Sequence, residues 1–409
     1  MLWTKKATKY DRYYYAAIAE GDREKNPQRP LLFEQSLDIY KPIVESQADA
    51  EHIASKNLPI VIMVVGSGWI GHRAIVYAST SFWNSSGPKT IASLGCTCVC
   101  IRHRGAFCVL PSASVLASVL AAILAVFWAA LGWQAAVVET TMLIAVLGLL
   151  ARGGRGSAQF EDMLQDVAKA LAFIESNKQL LKIEWAGKAD ASVLAPSASG
   201  LSATDLTKAD FPFSASKEES DMNSKTMTDN SEKDELPRFV FGGYSSGGHV
   251  AATLLQRPDL FEKNGLPSPD KLFHGIIMIS GMLAVRPEKI DLPKNGKETV
   301  TIETPSGPTW LTDFVLETVW GPEKAQQIPS PLAQLRDPKL PHLLISCRNE
   351  AFGLPWLNIY FASQPYAKKV QHMTGEKAKY VEVESDHWNI LSSVALRDAL
   401  QENLPTLIH

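Results

Sequence analysis

The stretch RFVFGGYSSGGHVAATLLQRP, residues 238–258, leaves the backbone very few paths. Arg238 to Phe241 begin as a short apolar strand. His249 to Leu255 read as a helix that stops near Arg257-Pro258. Between them, Gly243-Tyr244-Ser245-Ser246-Gly247 fits G-x-S-x-G. Centred on Ser246 the same pattern fails, because Tyr244 would stand where the first glycine belongs. So abrupt a change from strand to helix crosses the two elements, and a Cβ two residues either side of Ser245 would collide there. A serine at the apex of such a turn is presented as a nucleophile. The plainer reading is a strand-to-helix turn with serine as the helix cap.

The rest of the chain supplies a sheet around this turn. LFEQSLDIYKP reads as an early strand with a proline stop, and LPIVIMVVGSGW as a fully buried strand running into a glycine loop. YASTSFWNSSGPK reads as helix then turn. TCVCIRHRG, FHGIIMISG, PHLLISC and YVEVE are further strands. In FEDMLQDVAKALAFIESN, Phe160, Met163, Leu164, Val167 and Leu171 recur at helical spacing. WNILSSVALRDALQENL is a closing helix. Apolar strands alternating with amphipathic helices predict an α/β fold with a mostly parallel central sheet flanked by helices.

Two stretches break that rhythm. Residues 109–156 hold an apolar run from Val115 to Val138, long enough to cross a bilayer, and a shorter one from Met142 to Leu150. Residues 189–236 are rich in Ser, Ala, Asp, Lys and Thr and have too little apolar material to bury, which predicts a disordered insertion. The expected organisation is an N-terminal extension over 1–30 and one domain over 31–409, interrupted by an inserted hydrophobic hairpin at 109–156 and the polar insertion at 189–236.

The net charge of −3 gives no electrostatic footprint for nucleic acid. The cysteines number five, and Cys96, Cys98 and Cys100 alternate onto one strand face. Side chains in a row suit buried thiols better than a metal cage or a disulfide framework. The first residues carry no apolar segment of the signal-peptide kind. The number of copies in the assembly is not legible in the sequence.

A serine nucleophile needs a base, an orienting acid and donors for the oxyanion. His387, in a loop after a late strand and before the last helix, fits the base. Its rival, His249, lies on the helix that follows Ser245 and points away from the hydroxyl. Glu350, just past an apolar strand, fits the acid better than Asp337, which precedes that strand, or Asp386, which adjoins His387. The N–H groups of Ser246 and of the early loop at Ser67 and Gly68 fit the oxyanion donors. A phosphate-binding reading of VGSGWIGHR fails, because no Gly-Lys-Ser/Thr follows. Neither metal nor organic cofactor is expected.

Together, LDIYKP, VVGSGW, GYSSGGHVA, SCRNE and SDHWNIL resemble the α/β-hydrolase superfamily, in its lipase/esterase branch with an HGGGW-type loop. Isoprenylcysteine methylesterase-like and carboxylesterase-like proteins are similar. The resemblance covers about residues 31–108, 157–188 and 237–400. Val65 stands where that loop's histidine would be, and Ser67 replaces a glycine. The resemblance implies a carboxylic ester hydrolase with a Ser245–His387–Glu350 triad. Kynurenine formamidase shares a related loop, which keeps amide hydrolysis open. A non-catalytic membrane module of the same fold is the reading from another class.

The oxyanion loop precedes the apolar insert and Ser245 follows it, so the insert crosses a membrane twice or not at all. A re-entrant or interfacial hairpin satisfies the same constraint. Arg102 and Arg104 before it, and Arg152 and Arg155 after it, point the catalytic domain to the cytoplasm. The expected partners are a small-molecule or lipid ester and a membrane. The alternative for the insert is a soluble lid helix.

Overall fold

A computed structural model describes residues 8–15, 35–42, 58–69, 86–106, 158–181, 238–294, 298–305, 309–350 and 360–408. The apolar insert at 109–156 and the polar insertion at 189–236 lie outside the described residues, as does Cys108.

The strands are β1 (Thr8–Tyr14), β2 (Ser36–Pro42), β3 (Ile60–Val64), β4 (Cys98–Ile101), β5 (Phe239–Tyr244), β6 (Gly275–Ile279), β7 (Lys289–Lys294), β8 (Glu298–Glu303), β9 (His342–Asn349) and β10 (Ala378–Asp386). Eight form one sheet in the order β1-β2-β4-β3-β5-β6-β9-β10. From β4 to β10 every neighbouring pair is parallel, and β2 runs antiparallel to both β4 and β1. The expected mostly parallel sheet is therefore present. β7 and β8 make a separate antiparallel pair that the sequence reading did not anticipate.

The stretch expected as an N-terminal extension contributes β1, the sheet's edge strand. Arg12 on β1 grips the buried Asp38 of β2 through Nε at 2.8 Å. Arg102, just past β4, reaches the same carboxylate and donates to Ser36 Oγ at 3.0 Å. A buried carboxylate held by two guanidiniums satisfies the rule that buried charges are paired.

The helices used below are α1 (residues 86–93), α2 (Phe160–Ser176), α3 (Ser246–Leu254), α4 (Thr309–Trp320), α5 (Ser363–Thr374) and α6 (Val394–Asn403). Of the segment expected as helix then turn, 77–89, residues 77–85 lie outside the described residues, and the expected turn at its end is a helix start. Ser86, Gly87 and Pro88 open α1 instead of ending a helix, because proline is tolerated in a first turn, where its missing N–H is not needed.

Strand alternation divides the core into two layers. Ile62 and Val64, Val99 and Ile101, Phe239 and Phe241 pack with the apolar face of α2, and with α3, α4 and α5. Val61 and Met63, Cys98 and Cys100, Ile277 and Ile279 pack with Ile91 and Ala92 of α1 and with Leu396 and Leu400 of α6. Cys98 and Cys100 share one face as expected, and both thiols are buried and free of disulfides. The predicted stripe Phe160, Met163, Leu164, Val167 and Leu171 is buried in full.

α2 also buries Asp166. Arg104 embraces its carboxylate with Nε at 2.8 Å and Nη2 at 2.9 Å, and Gln35 donates to it at 2.8 Å. Arg102 and Arg104 are thus both engaged inside the fold. Among the arginines invoked for orientation at a membrane, Arg152 and Arg155 remain.

Candidate active site

β5 carries Gly242 and Gly243 just before its last residue because their surroundings leave no room. A Cβ on Gly242 would meet the Ile277 carbonyl oxygen at 1.5 Å. One on Gly243 would meet the Gly247 carbonyl carbon at 2.5 Å, and one on Gly247 the Val64 carbonyl oxygen at 2.2 Å. Only the Gly243 contact is the expected collision of the helix with its own strand; Gly242 is crowded by β6 and Gly247 by β3. Ser245 sits at the apex with φ 55 and ψ −130. A non-glycine residue there is strained by about 1–3 kcal/mol, and persists only where its surroundings enforce it. The Ser245 N–H donates to Ile279 O at 3.2 Å, and its carbonyl accepts from Gly248 at 2.9 Å and Met282 at 3.0 Å. The apex is thus pinned on both sides. Ser245 is the residue before α3, but its side chain makes no capping bond, so the helix-cap reading does not describe it.

Its hydroxyl faces His387. Ser245 Oγ lies 3.0 Å from His387 Nε2, and His387 Nδ1 lies 3.0 Å from Glu350 Oε2. His387 follows β10 and Glu350 follows β9, so two adjacent parallel strands end at one edge and deliver both. All three side chains are buried. Glu350 turns its other oxygen to the Cys347 N–H at 3.0 Å, which fixes the carboxylate plane. Its charge, after burial itself, helps push the Cys347 thiol pKa up. Nδ1–H donating to Glu350 leaves the Nε2 lone pair for the serine proton. The arrangement can therefore take a proton from Ser245 and hold the resulting imidazolium against a carboxylate.

The rival residues do other things. Asp386 accepts from the Trp388 and Asn389 N–H groups at 3.0 Å each and from the Asn389 side chain at 2.7 Å. It closes the turn that carries His387, and those hydrogen bonds, led by the Asn389 side chain, hold its pKa low. Asp337 precedes β9, next to Lys339, and is exposed. His249 is buried, with both ring nitrogens engaged: Nδ1 with the Trp69 indole N–H at 2.8 Å and Nε2 with the Pro329 carbonyl at 2.7 Å. Burial lowers its pKa to about 4.

The loop after β3 reaches the same edge. A Cβ on Gly66 would meet Ser245 Cβ and the Tyr244 carbonyl oxygen, each at 2.6 Å, so glycine lets this loop rest on the turn. Gly68 (φ 60) and Trp69 (φ 64) are both left-handed and fold the loop back. Val65, in the place of the resemblance's histidine, is buried, and its N–H donates to Ile101 O at 3.2 Å. Of the three expected oxyanion donors, Ser67 is engaged: its N–H donates to Ser246 Oγ at 2.9 Å. For the Gly68 and Ser246 N–H groups no acceptor is found among the described residues.

Two contributors escaped the sequence reading. Tyr244 donates its hydroxyl to the His387 carbonyl at 2.5 Å and stacks on the imidazole at 5.2 Å between centroids. Trp69 is buried against His249. Both lie inside the motifs already quoted, but neither partner is near in sequence.

The insert has its roots here. Ala106 N–H donates to Trp69 O at 2.8 Å, and Ala158 N–H to Gly105 O at 3.2 Å. The chain leaves at Ala106 and returns at Ala158 at one point beside the glycine loop. Among the described residues, no helix is long and apolar enough to cross a membrane.

The mostly parallel sheet, the serine turn between β5 and α3, and the chain order serine, acid, histidine make this an α/β-hydrolase fold. No family model matches the chain, and no curated protein matches it. Solved structures of similar shape include a tributyrin phosphonate-inhibited esterase B from Lactobacillus rhamnosis, with TM-score 0.49 and 12% identity over 98% of this chain and 87% of that one. A truncated carbohydrate esterase from gut microbiota has TM-score 0.49 and 13% identity over 98% of this chain and 97% of that one. Carboxyl esterase 2 from the mycorrhizal fungus Tuber melanosporum has TM-score 0.44 and 12% identity over 100% of this chain and 90% of that one.

Proposed function

We propose that this protein is a serine hydrolase of carboxylic esters. The observation that carries the reading is the unbroken line Ser245 Oγ, His387, Glu350, with two contacts of 3.0 Å at a strained apex. Ser245 Oγ attacks the ester carbonyl carbon while its proton passes to His387 Nε2. The tetrahedral oxygen takes hydrogen bonds from the N–H groups of Gly68 and Ser246. Ser67 joins them only if Ser246 Oγ turns away from its N–H. The imidazolium, held by Glu350, returns the proton to the leaving alkoxide, and an acyl-enzyme remains. Water then repeats the sequence: His387 takes its proton, the hydroxide oxygen adds to the acyl carbon, and Ser245 leaves with the proton restored.

The substrates in this proposal are lipophilic esters met at a membrane, with the catalytic domain on the cytoplasmic side. The apolar run Val115–Val138 supports it, together with the roots of that insert beside Trp69. Arg152 and Arg155 are the residues that argue for the orientation.

Purified protein is offered p-nitrophenyl esters of rising acyl length and an aryl formyl amide, beside a Ser245→Ala control. The expected result is ester turnover that grows with acyl length and vanishes in Ser245→Ala. Turnover of the formyl amide alone would replace the esterase reading with an amidase. No turnover by folded protein would favour a non-catalytic module.

A further inference from the structure

His249 is a buried histidine close to Ser245 that the proposed reaction does not use. Its geometry defines its chemistry. An indole N–H can only donate, so Nδ1 must carry a lone pair and the ring proton must be on Nε2, where it meets the Pro329 carbonyl at 2.7 Å. The ring packs against Phe160, 4.6 Å between centroids, and stands edge-on to Trp69 at 5.5 Å. It is held neutral by burial. A base needs a free lone pair, and this ring has none.

What the ring holds is Trp69. That residue has φ 64, a left-handed backbone that a bulky side chain adopts only under constraint. Its indole is fixed by His249 and its carbonyl by Ala106. Gly68, immediately before it, is left-handed too, and its N–H lies in the peptide plane that leads into this turn, so anchoring Trp69 anchors that plane from its C-terminal side. We infer that His249 is a positioning residue: by gripping the Trp69 indole it maintains the left-handed turn at Gly68-Trp69 and so aims the Gly68 N–H at the substrate oxygen. It touches neither substrate nor nucleophile. The inference rests on the serine hydrolase reading above. Misaiming one donor costs a reaction roughly ten- to a thousandfold in kcat, because the donor serves the transition state more than the bound ester.

The test compares wild type with His249→Asn, His249→Ala and Trp69→Phe on a water-soluble short-chain p-nitrophenyl ester. A reversible trifluoromethyl ketone, which forms a charged adduct on a serine, serves as second probe. The expected result is a kcat about ten- to a hundredfold lower in His249→Ala and in Trp69→Phe, with little change in KM. Trifluoromethyl ketone affinity should fall in step with kcat/KM. The double variant should be no worse than either single one, because both remove the same contact. His249→Asn, whose amide oxygen can accept from the indole, should recover part of the loss. Should His249→Ala fail to fold, Trp69→Phe and His249→Asn carry the comparison. Full kcat in Trp69→Phe, losses that add in the double variant, or a loss confined to KM would each overturn the inference. If wild type itself neither hydrolyses the ester nor binds the ketone, the serine hydrolase reading fails first. Active wild type with indifferent variants removes the role of His249 alone.

Discussion

His387 Nε2 stands 3.0 Å from Ser245 Oγ, across 142 positions of chain. Both are delivered to one edge of a single sheet, Ser245 by the turn after β5 and His387 by the turn after β10. Tyr244, the residue before the serine, donates its hydroxyl to the His387 carbonyl at 2.5 Å, so the serine turn also holds the loop that carries its partner.

In the proposed reaction Glu350, 3.0 Å from His387 Nδ1, keeps the proton on that nitrogen. Glu350→Gln keeps the shape but can present an amide N–H to Nδ1 and favour the wrong tautomer. Ester turnover should fall roughly a hundred- to ten-thousandfold in kcat with stability nearly unchanged. Steady-state kinetics beside a thermal melt checks this. Full activity in the variant would remove Glu350 from the account.

Gly247 tolerates no side chain. A Cβ there meets the Val64 carbonyl oxygen at 2.2 Å, and backbone cannot yield as a flexible side chain can. Gly247→Ala should destabilise the protein by about 3 kcal/mol or fail to fold. Urea denaturation measures it, and a wild-type midpoint would contradict the packing described.

Acid should weaken the fold through two histidines. Burial lowers the pKa of His249 and of His342 to about 4 each. Both folded values lie below the unfolded one, so between pH of about 6.5 and 4 the unfolded chain binds more protons. Their contribution is complete above pH 6.5 and is lost as pH falls toward 4, by up to ~3 kcal/mol for each. Denaturation at pH 7.5 and pH 5 should show this loss, and His342→Leu should flatten it by close to one proton's worth. An unchanged pH slope in His342→Leu would contradict it.

The apolar insert should carry the protein to lipid. Full-length protein should float with liposomes, and a version with residues 109–156 replaced by a short Gly-Ser linker should not. The roots lie close enough for such a linker, since Ala158 bonds to Gly105. The shortened version should keep its activity on a water-soluble ester. Full-length protein that stays at the bottom of the gradient would sink the membrane proposal.

The features legible in the sequence are those governed by local rules. The Ser245 turn followed from glycines two residues either side; the expected helix-on-strand clash holds at Gly243, whereas Gly247 is kept bare by Val64 of the neighbouring β3. Glu350 stood out because it follows its strand, whereas Asp337 precedes β9 and so lies at the opposite end of it. Features that depend on distant partners were not legible. The Trp69–His249 bond joins residues 180 apart, and no periodicity signals it. Arg104 looked like a flanking charge, yet it is half of a pair with Asp166 that forms only when α2 packs on the sheet. β1 was missed because an edge strand faces solvent and need not be apolar: TKYDRYY reads as a polar tail. The β7–β8 pair did have a signal, Asn295-Gly296 between alternating residues, of the kind that marks a hairpin.

The central claim is that Ser245 is a nucleophile activated by His387. The most direct measurement is reaction of the full-length protein with a fluorophosphonate probe, followed by mass spectrometry of the labelled peptide. The account predicts one phosphonyl group, on Ser245, abolished in Ser245→Ala and slowed at least about a hundredfold in His387→Ala. A folded protein that takes no label, or takes it on Ser246 or elsewhere, would contradict the account.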